Sequence, residues 1–153
     1  MKENKRKRSK ETTNKRTAEC VDWDTLDQFT LGYIQCALWS SHDYWETAEH
    51  GGRYLDEDYS IEDMATETFE EMKRHCAVFQ EKCKDLLAEA GMDDFKAGMD
   101  FWLARNGFGV GYCDRDLGEV GLKLTEAAES WGEYGLYVGK DGKIRCPYRY
   151  GDV

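Results

Sequence analysis

The chain has 153 residues and a net charge of −10, and a single domain usually takes about 100–200 residues. Hydrophobic residues make up 41% of the chain and aromatic residues 13%, which is more than a disordered chain contains. No apolar run reaches the roughly 18 residues of a membrane span, and the basic N-terminus leads into no apolar core of a signal peptide. The composition therefore predicts a cytoplasmic protein without membrane contact.

The charges fall into three unlike parts along the chain. Residues 1–18 hold eight basic and two acidic residues, a net charge of +6. Residues 19–71 hold fifteen acidic residues and one basic residue, a net charge of −14, and residues 72–153 carry a net charge of −2. Because the first part also lacks apolar periodicity, we expect a disordered basic tail at 1–18 and a single globular domain at 19–153.

The first half of the domain is predicted to contain two helices. Apolar residues at steps of three and four predict an amphipathic helix over 25–40, with Asp24 as its N-cap. Residues 42–59 are predicted to form a long loop, which is an unusual feature in a small domain. A second helix with a clear apolar stripe is expected to begin at Thr66, its N-cap, and to stop at Gly91.

The second half is predicted to add two helices and a hairpin. The helices cover 93–105 and 117–131, and Asp141-Gly142 between two β-type runs is a strong hairpin signal. Together these elements predict an α+β fold, in the form of a single small α-rich domain of about four helices with a C-terminal β-hairpin. The expected core consists of five large apolar residues: Phe29, Phe69, Phe79, Trp102 and Leu124.

One stretch of the chain resembles a known family. Residues Asp100–Val138 read DFWLARNGFGVGYCDRDLGEVGLKLTEAAESWGEYGLYV and are followed by GKDGKI. This is similar to a family of small bacteriophage and plasmid proteins with the pattern RNGxGxG…DR…LGE…LYVGxDGKI. Phe108 stands where that family usually has a histidine, and Cys113 stands where it has an aromatic residue. The resemblance implies a phage or mobile-element accessory protein in the cytoplasm of a bacterial host, and it implies no particular activity.

The loop between Arg105 and Arg115 is the candidate binding site. Three glycines at alternate positions would let backbone N–H groups approach an anion, and the two arginines would add positive charge. The candidate residues are Arg105, Asn106, Gly107, Gly109, Gly111, Asp114 and Arg115. No predicted strand precedes the loop, so neither a Walker loop nor a dinucleotide fingerprint fits. The alternative is a tight connection between two helices, with the arginines paired to Asp100, Asp114 or Asp116.

The six cysteines lack the spacing of metal ligands. No CxxC occurs, and Cys76 and Cys83 lie two helical turns apart, too far to share one ion directly. We therefore expect free thiols that pack as small hydrophobic groups. No cysteine–histidine pair and no carboxylate pair stands in a catalytic context. The sequence thus indicates no catalytic residue, metal or cofactor, and it favours a role other than catalysis.

The charge distribution leads to three hypotheses about function. The acidic part, residues 19–71, would bind a basic groove of a host or phage protein, in one form as a mimic of DNA. Alternatively, the chain would be a nucleic-acid-binding factor that uses its tail together with the Arg105–Arg115 loop. The tail residues in question are Lys5, Arg6, Lys7, Arg8, Lys10, Lys15 and Arg16. The third hypothesis is an enzyme that acts on a phosphorylated small molecule at the glycine loop.

Overall fold

The computed structural model describes residues 21–41, 54–108 and 111–146. The helices within these ranges are α1 (Gln28–Ser40), α2 (Leu55–Asp58), α3 (Thr66–Lys82), α4 (Lys84–Ala90), α5 (Asp94–Arg105) and α6 (Glu119–Glu129). Two strands follow them, β1 (Tyr137–Val138) and β2 (Ile144–Arg145). Among the described residues, no helix is both long enough and apolar enough to cross a membrane.

A mostly helical fold with a small sheet is confirmed, but the predicted number of about four helices is wrong. The described ranges contain six helices. The helix predicted from Thr66 to Gly91 is interrupted at Cys83, whose ψ of 19° leaves the helical region and directs α4 towards α6. The one-turn helix α2 lies inside the predicted loop 42–59, where Glu57 accepts a hydrogen bond from the backbone that precedes the turn. Residues 42–53 of that predicted loop lie outside the described residues.

The observed helix ends differ from the predicted ones in two places. Asp27, not Asp24, caps α1, because its Oδ1 accepts a hydrogen bond from the N–H of Thr30 at 2.9 Å. Thr66 is the first residue of α3, and Ala65 occupies the N-cap position in its place. Gly91 ends α4 with a φ of 63°, the left-handed conformation that glycine adopts without strain, as predicted.

Helices α1 and α5 pack against each other at very short range. A Cβ atom built on Gly32 would lie 2.1 Å from the carbonyl oxygen of Phe95, and one built on Gly98 would lie 1.8 Å from that of Phe29. Both distances are too short for any residue with a side chain. The two glycines therefore allow the backbones of α1 and α5 to touch.

The core is built from stacked aromatic rings. Phe79 of α3 stacks on Phe101 of α5 with ring centroids 4.0 Å apart, and Phe29 and Tyr33 of α1 pack against Phe101. The core prediction is confirmed, since five out of five of its residues are buried: Phe29, Phe69, Phe79, Trp102 and Leu124. Burial of an aromatic side chain is worth about 1.5–3 kcal/mol, so this cluster stabilises the contact of α1, α3 and α5.

The predicted C-terminal hairpin is confirmed, and it docks onto the start of α3. Strands β1 and β2 pair antiparallel in the register Tyr137–Arg145 and Val138–Ile144. Ile144 also forms a parallel bridge with Met64, and its carbonyl oxygen accepts a hydrogen bond from Ala65 N–H at 3.0 Å. These contacts join the hairpin to the residues that immediately precede α3.

Candidate functional site

The structure gives Arg115, at the end of the predicted binding loop, a partner inside the protein. Its Nε and Nη2 donate to the two carboxylate oxygens of Asp100, each at 2.9 Å. Asp100 is fully buried, whereas the Arg115 side chain is partly exposed. This two-pronged pair is the strong form of an arginine–carboxylate contact. It agrees with the alternative interpretation of the loop as a connection between helices.

Arg105, the last residue of α5, is buried and only 3% exposed. Its Nη1 donates to Tyr33 Oη at 2.9 Å and lies 3.1 Å from His75 Nδ1. Nε and Nη2 donate to the carbonyl oxygens of Gly132 and Trp131 at 2.8 and 3.2 Å. Three aromatic rings lie within 5.6 Å of its Cζ atom. The hydrogen bonds of the guanidinium group therefore join parts of the domain to one another.

Asn106 also has a structural role in this loop. Its Nδ2 donates to the carbonyl oxygen of Trp102 at 2.9 Å, and its Oδ1 accepts from the N–H of Tyr134 at 2.9 Å. The side chain thus ends α5 and fixes the segment that leads into the hairpin. An amide that uses both its donor and its acceptor in this way has little left for a ligand.

The glycines of the loop are partly described. Gly107 and Gly111 have φ values of 72° and 115°, which residues with a side chain rarely adopt. A Cβ on Gly111 would also lie 3.2 Å from the carbonyl oxygen of Asp100. Gly109 and the side chain of Asp114 lie outside the described residues, as does every residue of the predicted basic tail 1–18.

A cavity of about 260 Å³ lies between the first turns of α3 and the C-terminal hairpin. Six residues from these two elements line it: Glu67, Thr68, Glu71, Tyr137, Arg145 and Cys146. The first three share one face of α3, because residues four apart on a helix are neighbours. Sequence reasoning missed this site, since the hairpin wall comes from a distant part of the chain. The one local signal is the Glu-Thr-x-x-Glu spacing on α3.

Glu71 is the buried carboxylate of the cavity and is 5% exposed. Its Oε1 accepts a hydrogen bond from Tyr134 Oη at 2.5 Å, and its Oε2 lies 3.8 Å from Nη2 of the exposed Arg74. Burial raises the pKa of Tyr134, and the hydrogen bond to Glu71 raises this pKa further. The tyrosine hydroxyl therefore stays protonated at neutral pH and holds the Glu71 carboxylate in place.

Arg145 crosses the outer side of the cavity between two carboxylates. Its Nη1 donates to Glu67 Oε2 at 2.5 Å and its Nη2 donates to Asp141 Oδ2 at 2.7 Å. The hydrogen bond from Arg145 lowers the pKa of Asp141, so this carboxylate is ionised at neutral pH. The single positive charge of Arg145 thus faces the carboxylates of Glu67 and Asp141.

Thr68 lines the cavity and is only 4% exposed. Within the described part of the chain, its hydroxyl group makes no hydrogen bond. A buried hydroxyl without a partner is uncommon and costs about 1–3 kcal/mol. Such a group marks a position where a ligand atom would be favoured.

The thiols of the core are not arranged for metal binding or nucleophilic chemistry. Cys36, Cys76 and Cys83 are buried and free, as predicted. Burial raises the pKa of Cys36 to about 12 and raises that of Cys76 well above its usual range, so both remain thiols at neutral pH. Among the described residues, no group of three or more His, Cys, Asp or Glu side chains converges as a metal site.

The cavity adjoins a strongly acidic part of the surface. Residues 54–71 contain eight acidic residues and no lysine or arginine. Two of the eight, Asp58 and Glu71, are buried. The other six are exposed or half-buried and form what we term the acidic surface: Asp56, Glu57, Glu62, Asp63, Glu67 and Glu70.

Comparison of the chain with models of protein families, with curated proteins and with solved structures gives no match. The candidate site is therefore defined by its own geometry. It consists of the acidic surface and the cavity at the start of α3, which share Glu67.

Proposed function

We propose that this chain is a binding protein whose acidic surface contacts a basic face of a host or phage protein. The observation that carries the proposal is the concentration of eight acidic and no basic residues in 54–71. Within the described ranges, Lys73 pairs with Glu70 at 3.6 Å and Arg145 pairs with Glu67. A segment with eight acidic and no basic residues creates a negative field, which attracts a basic partner and speeds its association.

Exposed aromatic side chains beside the acidic surface favour a protein as the partner. Tyr54 directly precedes α2 and is 44% exposed, and Trp39 near the end of α1 is 55% exposed. The two helices meet here, because Leu55 N–H donates to the carbonyl oxygen of Ser41 at 2.8 Å. Aromatic side chains are enriched at protein–protein interfaces, where they supply apolar contact area.

The setting of this proposal, an accessory role in a phage or mobile element, is the one that the sequence resemblance of Asp100–Val138 implies. In that setting, mimicry of DNA is one form that the binding would take. Carboxylates of the acidic surface would occupy the positions of backbone phosphates in the groove of a DNA-binding protein. A partner captured in this way would be released by free duplex DNA.

The two other hypotheses receive less support from the geometry. Binding of nucleic acid or of a phosphorylated molecule at the loop requires available arginines, and Arg105 and Arg115 have partners within the domain. The contribution of the tail stays a prediction, because residues 1–18 lie outside the described residues.

A charge-neutralised variant and a matched control test the proposal. The variant Asp56→Asn/Glu62→Gln/Glu70→Gln removes three charges from the acidic surface. The control Glu126→Gln/Glu129→Gln/Glu133→Gln removes three exposed charges in and after α6. Both carry the same net charge, so any difference between them reports position rather than total charge.

Binding of a fluorescent decalysine peptide is measured by anisotropy at low and high salt. At about 0.5 kcal/mol per exposed charge, the acidic-surface variant should bind about tenfold more weakly than the wild type. The control should change binding by less than about twofold. Equal losses in the two variants would mean that net charge alone drives binding, and the proposal would fail. Capture from bacterial lysate with and without duplex DNA then tests the DNA-mimic form.

A further inference from the structure

We infer that the cavity between α3 and the hairpin receives a primary ammonium group, supplied by a lysine side chain of the partner. This inference rests on the proposed function and names the group that the partner inserts. The cavity opens beside the acidic surface, because Glu67 belongs to both. A lysine that binds at the acidic surface would therefore lie close to the cavity.

The chemistry of the α3 wall matches an ammonium group. Such a group has three donors and no acceptor, and the wall presents the carboxylates of Glu67 and Glu71 together with the hydroxyl-bearing side chain of Thr68. The Thr68 hydroxyl is buried, and no group in the described part of the chain satisfies it. This observation is independent of the acidic cluster, and Thr68 lines the space that a ligand would fill.

On the hairpin side, one cation already lines the cavity, the guanidinium group of Arg145. Arg145 reaches Glu67 from the hairpin side and is matched by Asp141 as well, so its charge is shared between two carboxylates. The buried Glu71 is held on the other side by Tyr134. An ammonium group in the cavity would add a positive charge beside the carboxylates of Glu67 and Glu71. Tyr137 would flank it with an aromatic ring.

The size of the cavity and the negative charge of its lining argue against other classes of ligand. At about 260 Å³ the cavity is smaller than the roughly 300–1,000 Å³ of sites for drug-sized molecules. It admits one side chain and is too small for a nucleotide. Phosphate and other anions would meet Glu67 and Glu71 at short range, and like charges repel strongly where solvent is limited.

Three single variants test this inference with the decalysine peptide and with Nα-acetyl-lysine amide. Thr68→Val keeps the shape of the side chain and removes the hydroxyl. Thr68→Ser keeps the hydroxyl and removes the methyl group. Glu71→Gln removes the charge and keeps an oxygen that can accept from Tyr134. The control Glu126→Gln removes an exposed charge on α6, outside both the cavity and the acidic surface. Circular dichroism confirms that each variant is folded.

Thr68→Val should weaken binding of both probes about tenfold, because a hydrogen bond to a charged group is lost. Thr68→Ser should restore wild-type affinity, and Glu71→Gln should weaken binding at least tenfold. Glu126→Gln should change the binding of both probes by less than about twofold. Amide resonances of α3 should shift on addition of acetyl-lysine amide and stay unchanged with the Nε-acetylated form, which has lost its charge.

Wild-type affinity of Thr68→Val for both probes would overturn the inference. If the neutralised acidic-surface variant still binds decalysine tenfold more weakly, the proposed function would stand without the cavity. Tighter binding of spermidine than of decalysine, with the same loss in Thr68→Val, would assign the cavity to a free polyamine. That result would overturn the assignment to a partner's lysine.

Discussion

Replacing Gly98 of α5 by alanine would place a methyl carbon 1.8 Å from the carbonyl oxygen of Phe29 in α1. Real Cβ atoms essentially never approach closer than 3.0 Å, so the two helices would have to separate by about 1.2 Å at this point. The obstacle is backbone, and a rotamer change cannot relieve it. Gly32 makes the reciprocal contact with α5, so α1 and α5 would separate along the whole stretch where their backbones touch.

The loss of stability in Gly98→Ala follows from the residues around this contact. Phe29, Tyr33 and Phe101 pack across the α1–α5 boundary, and separation would loosen their ring contacts. Overpacking costs about 1–3 kcal/mol and occasionally more, while alanine gains about 1 kcal/mol over glycine inside a helix. Because the clash involves rigid backbone, we expect the overpacking cost to reach about 3–4 kcal/mol. After the gain from alanine, the net loss in the free energy of unfolding is then about 2–3 kcal/mol. This corresponds to a melting temperature lower by about 4–12 °C.

Urea denaturation followed by circular dichroism and tryptophan fluorescence measures this loss. Gly121→Ala in α6 is the graded control, because its Cβ would lie 2.8 Å from the carbonyl oxygen of Tyr112 and needs only a small shift. We expect the control to stay within about 1 kcal/mol of the wild type. A Gly98→Ala protein as stable as the control would refute the close approach of α1 and α5.

Three further predictions concern buried polar groups. Arg105→Lys should lower the free energy of unfolding by about 2–4 kcal/mol in urea titrations, because lysine cannot reproduce the forked contacts to carbonyl and hydroxyl oxygens. Burial raises the pKa of Tyr33 and of Tyr134, so the folded state keeps protons that the unfolded state releases near pH 10. The contribution of these two tyrosines to stability should therefore be constant below about pH 10 and fall as pH rises beyond it, and absorbance at 295 nm should show both tyrosines ionising only on unfolding. At pH 8, native-state alkylation mapped by mass spectrometry should leave Cys36 and Cys76 unmodified, and rapid labelling would contradict their burial as thiols.

Local patterns predicted those parts of the fold that local interactions determine. Apolar periodicity identified the helices around Phe29 and Phe101, and Asp141-Gly142 identified the hairpin. The break at Cys83 escaped prediction because the apolar stripe continues through it, so periodicity cannot report the change in direction. The predicted N-cap of α1, Asp24, was wrong because several aspartates precede the helix. Residue type alone does not distinguish Asp24 from Asp27, which is the cap in the structure.

The candidate site depends on contacts between distant residues, and these leave little trace in the sequence. Arginines are rarely buried, so Arg105 next to three glycines suggested an exposed anion site. In the structure it meets Tyr33 and His75, which are 72 and 30 residues away in the chain. Likewise, Glu71 became part of a cavity only through Tyr134 and the hairpin. Neither partner could be identified without the three-dimensional arrangement.

The bridge between Met64 and Ile144 links positions eighty residues apart, and this has a consequence for synthesis on the ribosome. Helices α1, α3 and α5 contain the main aromatic cluster and emerge first, whereas the hairpin wall emerges last. At about 5–20 residues per second, several seconds separate the emergence of α3 from that of Cys146. A nascent or truncated chain would therefore contain the residues of the aromatic cluster before it can form the cavity, and only chains that extend through the hairpin would have both walls of the cavity.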